Sequence, residues 1–423
     1  MSKTGLPPRR AAHYLMDQIM EEGRLLAELI GGGALDHLDP ADRARAQRLT
    51  TDALRGLDRA DRMLKPYLKK QPPEQVMNSL RLGVIELTAG EAAHGVVNAY
   101  VEITAQNKNT HSMKGMVNAV LRRIAEEGPD GWHKRRVPVM PGWLRQPLVA
   151  AWGRKPMDAI DAAHFAGAPL DLTPKGDPAA LAAAVDGIVL PTGSVRVPNA
   201  GQVSSLAGFE DGDWWVQDAA AAIPVQMLAP TPGMTVLDIC AAPGGKTMQL
   251  AAAGAVVTAV DISKTRMARV ADNLARVKTQ ATLTVADAFD VAGRYDAVLL
   301  DAPCSATGTI RRHPDLPYAK DGSEFVELIA QQEAMIDHAL TLVKPGGKLV
   351  FCTCSLLPDE GEVQIEEALE RHPGLTVDVT AADRPGIDPD WTTYEGGVRL
   401  RPDFWPELGG MDGFYIAVLT KPS

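Results

Sequence analysis

The chain has 423 residues, 45% of them hydrophobic and 23% charged, an ordinary globular balance that excludes a wholly disordered protein. No apolar run reaches the roughly 18–20 residues of a membrane helix, the opening Met-Ser-Lys-Thr-Gly-Leu-Pro-Pro-Arg-Arg lacks the apolar stretch of a signal peptide, and the four cysteines fit a reduced, cytoplasmic protein better than a disulfide scaffold. Net charge is −10 but uneven: residues 1–145 carry 22 Lys+Arg against 17 Asp+Glu, and the remainder is acidic. A basic third on an acidic body points to a nucleic-acid-facing module, with an Arg-rich solvated helical surface as the plainer reading.

From Arg10 to Gly128 apolar residues recur at three- and four-residue steps, as in Leu80-Arg81-Leu82-Gly83-Val84-Ile85-Glu86-Leu87. Gly31-Gly32-Gly33, Pro72-Pro73 and Gly128-Pro129 break the pattern. This predicts an all-α domain over residues 1–135. A small α/β linker domain follows over 136–212, with strands at Leu170–Thr173 and Val195–Val197 and a helix opened by Asp177-Pro178. From 213 to 423 strands and helices alternate as in a doubly wound parallel sheet. The expected strands are Thr235–Ile239, Val256–Val260, Thr282–Val285, Tyr295–Leu300 and Lys348–Cys352, with two more near 375–379 and 414–419 completing seven.

The chemistry-bearing residues cluster at the carboxyl ends of those strands, where such sheets bind ligands. The first strand runs into Cys240-Ala241-Ala242-Pro243-Gly244-Gly245-Lys246-Thr247, a small-residue turn that lets a ligand approach the backbone. It is neither a dinucleotide fingerprint nor a phosphate loop, because the required glycines are missing. Asp261 ends the second strand, placed to accept ribose hydroxyls, and Asp287 follows the third, placed for an adenine amino group with Phe289 beside the ring. Three loop acids after consecutive strands suit an adenosyl ligand without distinguishing one cofactor from another.

Asp301-Ala302-Pro303-Cys304-Ser305 follows the fourth strand, and Cys352-Thr353-Cys354-Ser355 ends the fifth, with Cys354 nearer the edge. A lone buried cysteine is more often inert than reactive. The four cysteines show no C-x-x-C or His partner at metal spacing, so no metal site is expected. Arg311-Arg312-His313-Pro314-Asp315 reads either as a solvated run or as a phosphate contact beside the site.

Asp-Ile-Cys-Ala-Ala-Pro-Gly-Gly-Lys-Thr, Asp-Ala-Pro-Cys-Ser-Ala-Thr-Gly with Arg-Arg-His-Pro-Asp, and Thr-Cys-Ser-Leu-Leu-Pro-Asp-Glu, in this order, resemble the RNA (cytosine-5)-methyltransferase family. Within it the chain is most similar to the bacterial small-subunit ribosomal RNA methyltransferase B type, whose N-terminal domain resembles the antitermination factor NusB. Here Arg81–Leu87 and Lys114–Arg122 carry that likeness. The resemblance implies a NusB-like RNA-binding domain, a linker domain and a Rossmann-like seven-stranded methyltransferase domain. It implies S-adenosylmethionine as methyl donor, held by Cys240 to Lys246, Asp261, Asp287 and Asp301, with Arg266 supporting the adenosine pocket. It also implies RNA as partner, no membrane, no metal and a monomer.

Two cysteines compete as nucleophile. DNA cytosine methyltransferases use the Pro-Cys position, here Cys304; the RNA family uses the Thr-Cys-Ser position, here Cys354, with Cys304 as helper. C5 of cytosine is a poor nucleophile until sulfur adds at C6, and a protonated Asp301 near N3 would stabilise that addition. The thiolate needs local activation, for which Lys246 is one candidate. Cys352 stands where the family often has a small residue, and Asp383–Trp405 does not match closely. Transfer RNA remains an alternative substrate. A non-catalytic RNA-binding assembly factor is a second class, disfavoured by the intact Asp301, Cys304 and Cys354. An amino-group methyltransferase is a third, lacking here its Pro-Pro-aromatic loop.

Overall fold

The structure is a computed structural model describing residues 5–198 and 201–423. The chain divides into two compact units, Met1–Gly167 with Ile310–Asp321, and Ala168–Thr309 with Gly322–Ser423.

The first unit is helical. Its helices are Leu6–Glu22, Leu26–Gly31, Pro40–Leu64, Glu74–Thr88, Ala93–Gln106, Lys114–His133, Gly142–Trp152 and Arg154–Ala166, with a short turn at Leu316–Ala319. Asp39 caps the third by accepting the Asp42 N–H, with Pro40 in the first turn. The helix Glu74–Thr88 is buried along most of its length. Gly83 permits this, since a Cβ there would lie 2.6 Å from Leu121. The buried Glu86 is matched by Arg9, at 2.7 and 2.8 Å, and by the Tyr100 hydroxyl at 2.8 Å. The expected break at Gly128 is a kink with φ +56°, after which the helix continues to His133.

The chain passes from the first compact unit to the second at Gly167–Ala168, within the residues 136–212 expected to form the linker domain. Helices Gly142–Trp152 and Arg154–Ala166 belong to the first unit, and the strands that follow belong to the second. The segment Ile310–Asp321 is also part of the first unit. There Asp315 accepts the Leu26 N–H at 2.8 Å, Trp143 donates to the Pro317 carbonyl at 3.1 Å and Arg55 to the Arg311 carbonyl at 3.0 Å. Arg311 itself is fully buried, so it is neither solvated nor a phosphate contact.

The second unit holds two sheets. The smaller contains β1 (Leu170–Pro174), β2 (Ile188–Val189), β3 (Val195–Val197) and β4 (Trp214–Val216) in the antiparallel order β2-β3-β1-β4. The larger contains β5 (Thr235–Ile239), β6 (Val256–Asp261), β7 (Thr282–Val285), β8 (Tyr295–Asp301), β9 (Val343–Thr353), β10 (Thr376–Val377), β11 (Val398–Leu400) and β12 (Phe414–Thr420). Its order is β10-β12-β9-β8-β5-β6-β7. β5 to β9 are parallel, while β12 runs antiparallel to β9, β10 and β11. The sheet thus has an eighth strand beyond the seven expected: β11, supplied by the segment 383–405. Buried Val, Leu and Ile on both faces explain why the central strands read as continuous apolar runs. Strand order reverses between β5 and β8, and that switch point opens a crevice at their carboxyl ends. Among the described residues no helix is long and apolar enough to cross a membrane.

Candidate active site

A cleft of about 270 Å³ lies at these strand ends. The turn after β5 shapes one side. Cys240 has φ +62° and Gly244 φ +102°, both in the left-handed region, and at Gly244 a Cβ would meet Val270 at 3.0 Å. Asp261 is buried and accepts the N–H groups of Ala242, at 3.2 Å, and Ser263, at 2.9 Å, so it fixes the first turn to the second. Arg266 reaches the same place, 3.6 Å from Asp261 and bonded to the Ala242 carbonyl. Asp287 holds its own turn through the Phe289 N–H at 3.0 Å. Beside these acids two apolar side chains stand open, Ile262 at 70% and Phe289 at 44% exposure. Apolar walls flanking carboxylate acceptors suit a flat nitrogenous ring with attached hydroxyls.

The other side of the cleft holds sulfur and charge. Cys304 Sγ and Cys354 Sγ are 3.5 Å apart. Lys246 Nζ pairs with Asp301 Oδ2 at 2.8 Å, and Cys352 Sγ stands 3.5 Å from Asp301 Oδ1. Lys246 is held protonated: burial opposes its charge, but Asp301 outweighs it. The Lys246 ammonium is thus the cation paired with the Asp301 carboxyl group in the cleft. Lys246 gives its hydrogen bond to Asp301 and not to Cys354, which removes the simplest version of thiolate activation by that lysine. Burial and neighbouring carboxylates push the Cys240 thiol up to about 12, and the same causes push the Cys352 thiol well above its ordinary range. Contact with Cys354, then burial, pushes Cys304 well above the ordinary thiol range.

Of the residues singled out in the sequence, Cys240, Ala242, Asp261, Arg266, Asp287, Asp301, Cys304 and Cys354 line the cleft. Ala241, Pro243, Gly244, Gly245 and Lys246 do not; they build the turn, and Lys246 acts on the cleft through Asp301. Gln331 and Met335, from the helix Phe325–Leu342, also line it and carry no sequence signal of their own. Ile262 does carry one, an apolar residue just past the acid that ends a strand. Among the described residues no group of three or more His, Cys, Asp or Glu is placed to hold a metal ion.

Residues 225–420 match the model of the 16S rRNA methyltransferase RsmB/F family, and residues 7–126 match the NusB family. The ribosomal RNA small subunit methyltransferase B of Erwinia tasmaniensis is 32% identical over 98% of both chains. Its counterpart in Xanthomonas campestris is 34% identical over 99% of this chain and 98% of its own. The chain belongs to the ribosomal RNA small subunit methyltransferase B family. Solved structures agree in fold: PH0851 superposes with a TM-score of 0.75 at 22% identity, covering 99% of this chain and all of that one. A methyltransferase homolog from Pyrococcus horikoshii gives 0.53 at 24% identity, covering 65% of this chain and 93% of its own. As a family member the chain is an S-adenosylmethionine-dependent methyltransferase, and the cleft fits that donor. Carboxylates at the ends of β6 and β7, with Ile262 and Phe289 beside them, match its adenosine half in chemistry.

Proposed function

We propose that this enzyme methylates C5 of a cytosine in RNA, in small-subunit ribosomal RNA by analogy with its named relatives, through a covalent bond between Cys354 and C6. The observation that carries this reading is the pair of thiols 3.5 Å apart in one cleft with Asp301. An amino-group methyltransferase has no use for two cysteines there, and a non-catalytic RNA-binding factor has no use for the set at all.

S-adenosylmethionine, when bound, supplies an electrophilic methyl group. Asp261 and Asp287 hold the adenosine half through hydroxyl and amino hydrogens, with Arg266 steadying Asp261 and the turn Cys240 to Lys246 bounding the other end. Cys304, whose thiol resists ionisation, serves in this reading as the S–H donor toward the Cys354 sulfur 3.5 Å away. Addition of the Cys354 sulfur to C6 moves an electron pair through the ring and makes C5 nucleophilic. The charge that builds at N3 draws a proton from water, and Asp301, balanced by Lys246, accepts the resulting N3–H. After C5 has taken the methyl group, its proton leaves to water. The C6–S bond then breaks with its pair returning to Cys354 sulfur, where the Cys304 S–H stabilises the departing thiolate, and the N3 proton returns to water to leave neutral 5-methylcytosine. The target base must be unstacked to reach the cleft, which a loop permits more readily than a duplex. The NusB-like domain supplies grip on backbone and shape.

The test is methyl transfer from labelled donor to unmodified small-subunit ribosomal RNA and, in parallel, transfer RNA. Cys354→Ala is expected to lower turnover by at least about 10³-fold. Cys304→Ala is expected to accumulate a protein–RNA adduct, visible as a band that survives denaturation. The reverse pattern would reassign the nucleophile to Cys304. Product mapped as N4-methylcytosine would discard the C5 chemistry, and activity on transfer RNA alone would replace the substrate. Asp261→Ala should weaken donor binding about ten- to a hundredfold by calorimetry, the value of one or two charge-assisted hydrogen bonds.

A further inference from the structure

The two thiols differ in what stands behind them. Cys354 opens on the cleft from the end of β9. Cys304 is followed by Ser305, which is anchored on Glu360, a fully buried residue of the turn Pro358–Glu360. Glu360 Oε1 accepts the Ser305 N–H at 2.9 Å and the Gln332 side-chain N–H at 3.1 Å, and Oε2 bonds the Ser305 hydroxyl. Among the described residues its side chain takes no cation: the neighbouring Arg399 pairs with Glu362 and the Ser355 carbonyl. N–H donors converging on one oxygen mark an acceptor-only carboxylate. Only neutral donors meet the Glu360 side chain among the described residues, and it lies beside the peptide linking Cys304 to Ser305. The hydroxyls of Ser305, Thr307 and Ser355 stand 3.2 Å from one another and tie both cysteine loops to the same carboxylate.

We propose that Glu360 is a positioning residue that decides which cysteine carries the thiolate. Its charge keeps Cys304 as a neutral S–H donor and leaves the single negative charge of the pair on Cys354. The groups around Cys304 are Cys354 at 3.5 Å and Glu360 behind Ser305, with Asp301 lining the same cleft. Two are carboxylates, and the third is the thiol with which it shares its proton. Cys354 meets this residue differently: the neighbouring Thr353 hydroxyl donates to the Glu360 backbone carbonyl at 2.7 Å, and among the described residues the Glu360 side chain reaches the Cys354 loop through the Ser305 and Ser355 hydroxyls. The inference rests on the reading that Cys354 is the nucleophile, but its test needs neither RNA nor methyl donor.

The experiment is alkylation by iodoacetamide across pH 6 to 10.5, with each modified cysteine located by mass spectrometry. It uses the full chain as wild type, Cys354→Ala, and Glu360→Gln with and without Cys354→Ala. In the Cys354→Ala background, Glu360→Gln is expected to lower the apparent pKa of Cys304 by about one unit, tenfold in its ionisation constant. Glu360→Asp, which keeps the charge, should restore most of the wild-type profile. A merely structural clamp would instead lower the melting temperature and leave the Cys304 profile in place, and that result overturns the proposal. Should Glu360→Gln fail to fold, the wild-type protein decides: Cys304 must ionise at higher pH than Cys354, and the opposite order overturns it. Loss of methylation with the alkylation shift intact would count against the cytosine reading and not against Glu360.

Discussion

Asp238, at the end of β5, places one carboxylate oxygen 2.6 Å from the Thr247 hydroxyl, while the other is buried without a hydrogen-bond partner. Burial pushes its carboxyl up to about 7, against about 3.9 in an unfolded chain. The folded state therefore binds this proton more tightly. The stability it contributes is complete below about pH 4 and is lost as pH rises through 7. Asp238→Asn should flatten that dependence, narrowing the difference in melting temperature between pH 5.5 and 8.5 by several degrees. A variant whose melting temperature follows wild type across that range would refute the assignment. His164 shows the opposite sign. Burial, with the nearby Arg311 charge, depresses its imidazole to about 3, and neither ring nitrogen has a hydrogen-bond partner. Its contribution is complete above about pH 6.5 and is lost as pH falls towards 3.

At the level of elements, two close approaches hold the site in register. Gly308 donates its N–H to the Cys354 carbonyl at 2.9 Å, and its carbonyl accepts from Gly413 at 2.8 Å. A Cβ at Gly308 would lie 2.0 Å from the Gly413 carbonyl oxygen. Gly308→Ala should therefore separate the Cys304 loop from the Cys354 strand, costing about 1–3 kcal/mol and more than tenfold in turnover, measured by denaturant melts and methyl-transfer assays. The smaller sheet is tied in by Arg196. This residue pairs with Asp171 through two bonds of 2.7 Å and donates to the Leu408 and Gly410 carbonyls. Arg196→Ala leaves Asp171 charged and buried, and should cost about 3–5 kcal/mol; a change below 1 kcal/mol in a urea melt would contradict this.

For the whole molecule, the chain leaves the second unit at Thr309, contributes Ile310–Asp321 to the first and returns at Gly322. Ile310, Pro314 and Pro317 line a pocket with Leu54, Met140 and Phe165, all within the first unit. A fragment of residues 168–423 therefore lacks the partners of that segment. Its amides from 311 to 320 should exchange with solvent far faster than in the full chain, as read by hydrogen–deuterium mass spectrometry. Equal protection in fragment and full chain would show that the segment is held by the second unit alone.

The strand ends were legible from the sequence because local patterns decide them. Buried Val/Leu/Ile runs stop at Asp238–Cys240, Asp261, Asp301 and Cys354, and helix caps such as Asp177 and Ser263 act within three residues of themselves. The family motifs lie on those same short segments, so the list of site residues followed from them. What depends on residues far apart in the chain was not legible. The Lys246–Asp301 pair spans 55 residues, and no local pattern announces it. The Ser305–Glu360 bond spans 55 more, and Arg311 reads as a solvated cation until the fold buries it. Hydrophobic periodicity marks where a chain turns and what it buries. Burial, neighbouring charge and the choice of partner exist only once distant segments meet, and these set which groups ionise and which cysteine can react.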